Sequence, residues 1–107
     1  MSAFAKAAEV AAFSPDKMRK QNVFDSPNMF CDVYGLEPGQ SQAAHAHAGS
    51  DKIYYVIDGC AEIQIGSETR QLEAGGLAHA APGVAHAVRN PGPGRLVLLV
   101  VMAPKPS

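Results

Sequence analysis

The stretch that decides the fold is GQSQAAHAHAGSDKIYYVIDG, residues 39–59. Its part KIYYVI is rich in β-branched and aromatic residues and runs into an Asp-Gly pair, which predicts a strand that ends at a tight turn. Upstream, His45 and His47 are separated by one residue in a second strand candidate. Such residues share one side of a strand, about 6.5–7 Å apart, so two imidazoles can tilt toward one ion. Taken alone, the same pair is equally typical of two surface histidines.

Short strand candidates separated by glycine and proline continue on both sides of this stretch. Residues 60–65 alternate polar and apolar side chains, which indicates a half-buried strand. Residues 96–102 form a continuous apolar run, typical of a strand that is buried on both faces or packed in an interface. About seven to nine such strands with frequent turns favour a sandwich or barrel. The sequence therefore predicts an all-β fold.

The segment before these strands predicts an N-terminal arm. Residues 3–13 are rich in alanine and favour a short helix. A Ser-Pro pair then predicts a helix cap and a second helical turn over residues 15–20. We therefore expect an arm at residues 1–27 and a barrel at residues 28–107 of a single small domain.

Composition excludes several classes of partner and location. The net charge is −1 and lysine and arginine form no run, which argues against a nucleic acid or an acidic membrane surface as partner. The two cysteines, Cys31 and Cys60, predict free thiols rather than a disulfide framework. No secretory signal pattern is visible, and the longest apolar run is far shorter than the roughly 20 residues of a membrane span. We expect a cytoplasmic protein.

A second stretch, GGLAHAAPGVAHAVRN at residues 75–90, places His86 after a Pro-Gly turn. In the spacing of its glycines, histidines and asparagine, the pair of stretches resembles the two motifs of the cupin superfamily, over about residues 28–103. This resemblance implies an all-β double-stranded β-helix, or jelly-roll, cupin barrel with a short helical or irregular N-terminal arm. It also implies a homodimer, an expectation that the apolar run at residues 96–102 supports.

The resemblance further implies a metal site. In this family the two histidines of the first motif and the histidine of the second bind a metal inside the barrel, so His45, His47 and His86 are the implied ligands. Imidazole ligands suit zinc, iron, nickel and copper, and we expect one divalent transition metal of these four. The expected function is a metal-dependent enzyme on a small organic substrate, of oxygenase, isomerase or cyclase type. The alternative is a non-catalytic small-ligand-binding cupin.

Lys52 departs from the family pattern, because it occupies the position of the glutamate ligand. Strand parity makes Lys52 face the cavity together with Tyr54. Beside a dication its charge is repelled by about 4 kcal/mol per pair of unit charges at about 4 Å. Three arrangements stay open: Lys52 turns toward the barrel mouth, Asp51 replaces the missing carboxylate, or the ammonium takes the place of the metal. In an enzyme, Lys52 is the candidate catalytic residue, as an acid, a base or a carboxylate-binding group.

Other polar and aromatic residues receive structural predictions. His79 is expected to be a core or supporting residue, or otherwise a substrate contact. Asn90 matches the closing position of the second motif, where we expect it to tie a turn. Tyr34, Tyr54 and Tyr55 lie in strand candidates and are expected in the core.

Overall fold

Two antiparallel sheets make up the fold. The computed structural model describes residues 2–106 and contains, within them, nine strands and the short helix α1 (Ala7–Val10). The strands are β1 (Arg19–Ser26), β2 (Met29–Leu36), β3 (Ser41–His45), β4 (Asp51–Asp58), β5 (Cys60–Ile65), β6 (Glu68–Glu73), β7 (Leu77–Ala80), β8 (His86–Arg89) and β9 (Leu96–Ala103). One sheet has the order β1-β2-β9-β4-β7 and the other β3-β8-β5-β6. The all-β prediction is confirmed.

The core lies between the two sheets and is filled by alternate residues of their strands. The predicted apolar strand forms β9, which lies between β2 and β4 at the centre of the larger sheet. Leu98 and Val100 point inward and are fully buried, whereas Leu99 and Val101 on the other face are half-buried. The buried cluster comprises Tyr34, Leu36, Tyr54, Val56, Ala61, Ile63, Val88, Leu96, Leu98 and Val100.

The N-terminal segment differs from its prediction. The helical turn expected over residues 15–20 is wrong, because residues 15–17 form a bend and Arg19 already begins β1. Strand β1 pairs with β2 along its length, so a strand lies inside the segment expected as an arm. The physical reason is the free edge of β2, whose backbone N–H and C=O groups β1 satisfies. Helix α1 is also shorter than the helix predicted over residues 3–13.

Residues of the arm pack against the outer face of β2. A Cβ atom built on Gly35 would collide with the carbonyl of Ala12 and approach the ring of Phe13, so only glycine allows this contact. The guanidinium of Arg95 lies 4.4 Å from the centre of the Phe13 ring and also pairs with Glu37. These contacts fix the arm beside the larger sheet.

Asn90 ties the loop before β9, as expected. It is 1% exposed, and its Nδ2 donates hydrogen bonds to the carbonyls of Leu36 at 2.9 Å and Gly94 at 2.8 Å. Its Oδ1 accepts a hydrogen bond from the backbone N–H of Gly92 at 2.8 Å. One buried side chain therefore connects the end of β2 to the loop that leads into β9.

The structure also describes the two cysteines and the helices. Cys31 and Cys60 are free thiols, as predicted. Among residues 2–106, no helix has both the length and the apolar character needed to cross a bilayer.

Candidate metal centre

Three histidines from two strands and a loop meet at one end of the barrel. His45 ends β3 and His86 begins β8, and the two lie opposite each other in the register of these paired strands. His47 follows in the loop after β3, and its ring centre lies 4.9 Å from that of His45 and 5.6 Å from that of His86. One nitrogen of each ring lies within 4.8 Å of the others. The expected convergence of the three rings is confirmed, and this cluster could hold a metal ion.

Backbone carbonyls determine which ring nitrogens are free to bind. The Nδ1 of His45 lies 2.9 Å from the carbonyl oxygen of Ala43, and the Nδ1 of His86 lies 3.0 Å from that of Val84. A carbonyl oxygen can only accept a hydrogen bond, so each Nδ1 carries the proton and each Nε2 carries a lone pair. This tautomer is the one in which Nε2 ligates a metal.

The two Nε2 atoms face each other across a short gap. They are 3.1 Å apart, close to the spacing of about 3.4 Å between two nitrogen ligands of a tetrahedral ion with bonds near 2.1 Å. Two lone pairs in this position repel each other unless a cation lies between them. The residues present therefore fit a shared metal ion.

Burial favours the neutral imidazoles of His47 and His86, the form in which they bind metals. Burial lowers the pKa of His86 to about 4, and the charges of Lys52, His45 and His47 act in the same direction, against the hydrogen bond to Val84. Burial also lowers the pKa of His47. A neutral ring at physiological pH leaves the Nε2 lone pair of His86 available.

Lys52 lies inside the barrel, as strand parity predicted. The residue is 1% exposed, its Nζ lies 4.9 Å from the ring centre of Tyr54 and 5.6 Å from that of Tyr34, and it donates to Gln42 Oε1 at 3.3 Å. The arrangement in which Lys52 turns to the barrel mouth is therefore not adopted. Burial lowers the pKa of Lys52 to about 8, assisted by the charge of Lys20.

Asp51 does not replace the missing carboxylate. It is the residue before Lys52 on β4, so it faces the opposite side of the sheet, and it is not part of the cluster of donor atoms. Its Oδ1 lies 2.7 Å from Nε2 of His79 on the outer face. The core prediction for His79 is wrong, because its side chain is 52% exposed and stands opposite outward-facing Ile53. Tyr55 also faces outward, contrary to the core prediction.

Three polar residues near Lys52 were missed from the sequence. Asp32 is two residues before Tyr34 on β2 and shares its inner face, a relation that strand parity alone could have found. Lys20 stands opposite Tyr34 in register and places its Nζ 5.5 Å from that ring, but it lies on β1, which was not predicted. The pairing of β3 with β8 is irregular between Gln42 and His45. Alternation along the strand therefore does not predict which side Gln42 faces relative to His45.

One of the three histidines lines a cleft. His47 is one of the residues that line a cavity of about 440 Å³, formed by residues 46–50 and by the C-terminal residues 104–106. Ser50 Oγ donates to the carbonyl of Pro104 at 2.7 Å, which connects the two walls. A small molecule in this cleft lies directly beside one of the three histidines.

Comparison with known proteins identifies the family. The sequence profile described as "Cupin domain" matches residues 32–102. This chain belongs to the cupin family. A Thermus thermophilus protein with a crystal structure has 42% identity to this cupin and a TM-score of 0.93, over 96% of this chain and 98% of that chain. A Klebsiella pneumoniae protein described as having a double-stranded β-helix domain has 30% identity and a TM-score of 0.90, over 97% and 91% of the chains. The double-stranded β-helix prediction is confirmed.

Two curated relatives come from streptomycetes. An uncharacterised protein of Streptomyces coelicolor is 33% identical over 78 residues, which are 73% of this cupin and 73% of that protein. The tetracenomycin polyketide synthase protein TcmJ of Streptomyces glaucescens is 34% identical over 74 residues, which are 66% of this cupin but only 50% of TcmJ. These matches support the family and leave the reaction to be argued from the site.

Proposed function

We propose that this cupin is a metal-dependent enzyme that acts on a small organic substrate, with chemistry of oxygenase, isomerase or cyclase type. One divalent transition metal, zinc, iron, copper or nickel, is held by His45, His47 and His86. The observation that carries the proposal is the pair of Nε2 atoms of His45 and His86, which face each other at 3.1 Å with their Nδ1 protons engaged elsewhere. This arrangement is costly without a cation and favourable with one.

The donor set suits Lewis-acid chemistry. Three neutral imidazoles bring no negative charge, so a bound metal keeps its full charge for polarising a carbonyl, an anion or water. Catalytic metal sites commonly have three protein ligands and leave a coordination position open to the substrate. The role we assign to Lys52 is to hold a proton or an anionic group beside the histidines, because its amine is interior and its pKa is lowered to about 8.

A relative's name bears on the kind of substrate. TcmJ is named as a tetracenomycin polyketide synthase protein, and this cupin matches half of its length at 34% identity. A relative named for the synthesis of a small organic compound supports a biosynthetic substrate for this chain.

Metal content tests the proposal directly. We expect the purified protein to contain about one transition metal per chain by inductively coupled plasma mass spectrometry. The variants His45→Ala and His86→Ala are expected to lose that metal. The control variant His79→Ala removes an exposed histidine that lies outside the cluster, and it is expected to keep the metal. A wild-type protein without stoichiometric metal contradicts the proposal.

A second candidate is a non-catalytic cupin that binds a small ligand without metal. The observation that favours it is Lys52, a cation at the position where the family motif has an anionic ligand. In this version the ammonium takes the place of the metal and the histidines act as hydrogen-bonding groups. Ligand binding that survives a chelator, with no turnover in air when iron or copper is supplied, supports this candidate over the enzyme.

We extend the proposal to a homodimer. Leu99, Tyr55 and Leu77 stand side by side across β9, β4 and β7 on the outer face of the larger sheet, and Leu77 is 66% exposed. A second copy of this face would cover these apolar side chains. Sedimentation analysis of the wild type and of Leu77→Glu tests this, with a dimer expected for the former only. The free thiols of Cys31 and Cys60 support a reducing compartment, which agrees with a cytoplasmic location.

A further inference from the structure

Lys52 is a buried cation whose charge no carboxylate balances directly. Its Nζ has one hydrogen-bond partner among residues 2–106, Gln42 Oε1 at 3.3 Å. The ion pairs within 4.0 Å in this part of the chain all involve other residues. An ammonium carries three N–H donors, and burying a charge without a partner is costly. The remaining donors of Lys52 therefore face the interior without an acceptor.

The hydroxyl of Tyr54 is a second unpartnered group beside the first. Tyr54 is fully buried on the same inner face of β4, and its Oη has no hydrogen-bond partner among the described residues. Its ring centre lies 4.9 Å from Nζ of Lys52. Burial raises the pKa of Tyr54, so the hydroxyl stays protonated and can donate. Folded proteins rarely leave such an atom unpaired, because its lost hydration is not repaid.

The charges around these two groups leave an excess of positive charge. Lys20 is an exposed residue, but its Nζ lies 5.5 Å from the ring centre of Tyr34 and it adds a second cation that acts on Lys52. Asp32 is the acidic group that acts on Lys52, and its Oδ1 already accepts a hydrogen bond from Nδ2 of Asn22 at 2.9 Å. The histidine cluster supplies no negative charge, and a bound metal adds further positive charge. The group that complements this interior is an anion.

We propose that the substrate is a small carboxylate, whose anionic group accepts hydrogen bonds from Nζ of Lys52 and Oη of Tyr54. A carboxylate brings one negative charge to one buried ammonium, and its two oxygens can accept from both unpartnered donors. The remainder of the molecule then extends toward the histidine cluster, because the ring centres of Tyr54 and His86 are 6.1 Å apart. This inference names the substrate class for the proposed function and rests on it, but the groups that bind the carboxylate are not the metal ligands.

Acetate and acetamide are suitable probes, because they have nearly the same shape and differ in charge. Isothermal titration calorimetry at constant sodium chloride concentration measures both, with the protein as purified and after dialysis against a chelator. We expect acetate to bind at least about tenfold more tightly than acetamide, since hydrogen bonds to charged groups are the stronger ones.

Two variants and a control locate the binding site. Lys52→Met removes the charge at similar length and is expected to weaken acetate binding at least about tenfold, whereas Tyr54→Phe removes only the hydroxyl and is expected to weaken it about threefold or more. The control Lys17→Met changes an exposed lysine far from β4 in sequence and is expected to leave the affinity unchanged. Circular dichroism verifies that each variant is folded.

The outcomes separate this inference from the proposed function. Acetate affinity equal to that of acetamide overturns the inference, and so does unchanged acetate affinity in folded Lys52→Met. If Lys52→Met does not fold, unchanged acetate affinity in folded Tyr54→Phe overturns it equally. Acetate binding that persists in metal-free protein supports the carboxylate site even when the metal measurement contradicts the enzyme. If the protein contains metal but binds acetate and acetamide equally, the enzyme proposal stands and the carboxylate inference is overturned.

Discussion

Replacing Lys52 by methionine tests how much the interior ammonium destabilises the fold. Burial lowers the pKa of Lys52 from its ordinary 10.5 to about 8. Each pKa unit corresponds to about 1.4 kcal/mol, so the charged form destabilises the folded state by about 3 kcal/mol. Methionine has similar length and no charge, and loss of the single hydrogen bond to Gln42 offsets about 1 kcal/mol of the gain. We expect Lys52→Met to raise the free energy of unfolding by about 2–3 kcal/mol at neutral pH.

The sign of the pH dependence follows from the lowered pKa. Below about pH 8 Lys52 is protonated in both folded and unfolded chains, so the full penalty is present. Between about pH 8 and 10.5 the unfolded chain binds a proton that the folded chain does not, and wild-type stability rises with pH relative to the variant. Above this window both forms are neutral. The advantage of Lys52→Met is therefore largest at neutral pH and disappears as pH rises through the window.

Urea denaturation followed by far-ultraviolet circular dichroism measures this difference at neutral pH and near the upper end of the window. Lys17→Met is the matched control, because it replaces an exposed lysine and is expected to change stability by less than about 0.5 kcal/mol. Two results refute the assigned cost of burying the Lys52 charge. In the first, Lys52→Met is less stable than wild type at neutral pH; in the second, its stability advantage is the same at both pH values.

Four further predictions address the site and the turns. Lys52→Glu supplies an anionic fourth ligand and is expected to lower the metal Kd at least about tenfold in a competition titration; an unchanged Kd shows that residue 52 does not face the ion. Asn90→Ala removes three hydrogen bonds of a buried side chain, of about 1 kcal/mol each, and is expected to lower the free energy of unfolding by about 3 kcal/mol, so a loss below about 1 kcal/mol contradicts its role. Because only neutral rings ligate, and the pKa of His86 is lowered to about 4, metal release during dialysis is expected to begin below about pH 6.5 and to be complete near pH 4. Gly59→Ala places a Cβ against the carbonyl of Arg95 at a φ of 89° and is expected to destabilise by more than about 2 kcal/mol, whereas Gly94→Ala, in open space, is expected to change little.

The fold and the three converging histidines could be predicted because they depend on spacing. Glycine turns and alternating strands fix which residues share a face, and this parity placed Lys52 and Tyr54 inside. Strand β1 was missed because its sequence RKQNVFDS has little apolar alternation. Its place at a sheet edge is set by backbone pairing with β2, which a local pattern does not reveal.

The details of the site depend on strand register and side-chain rotamers, which the alternation of residues along a strand does not determine. His79 was misplaced because the alternation of β7 puts Ala80 inside and His79 outside, a relation that needs the register against β4. The direction of the long Lys52 side chain is a rotamer choice among tertiary neighbours, and no spacing in the sequence specifies it. The contact with Gln42 also requires the irregular pairing of β3 with β8.

The position of β9 has a consequence for how the molecule assembles. This strand comes after all the others in the chain, yet it joins β2 on one side and β4 on the other. The hairpin of β1 with β2 and the pair of β4 with β7 can form early, but they remain unconnected until residues 96–103 insert between them. Pairing strands that are distant in sequence costs loop-closure entropy before the new contacts compensate for it. Folding is therefore expected to be slow and to finish in one late, cooperative step. On the ribosome, the larger sheet stays open until its middle strand has emerged.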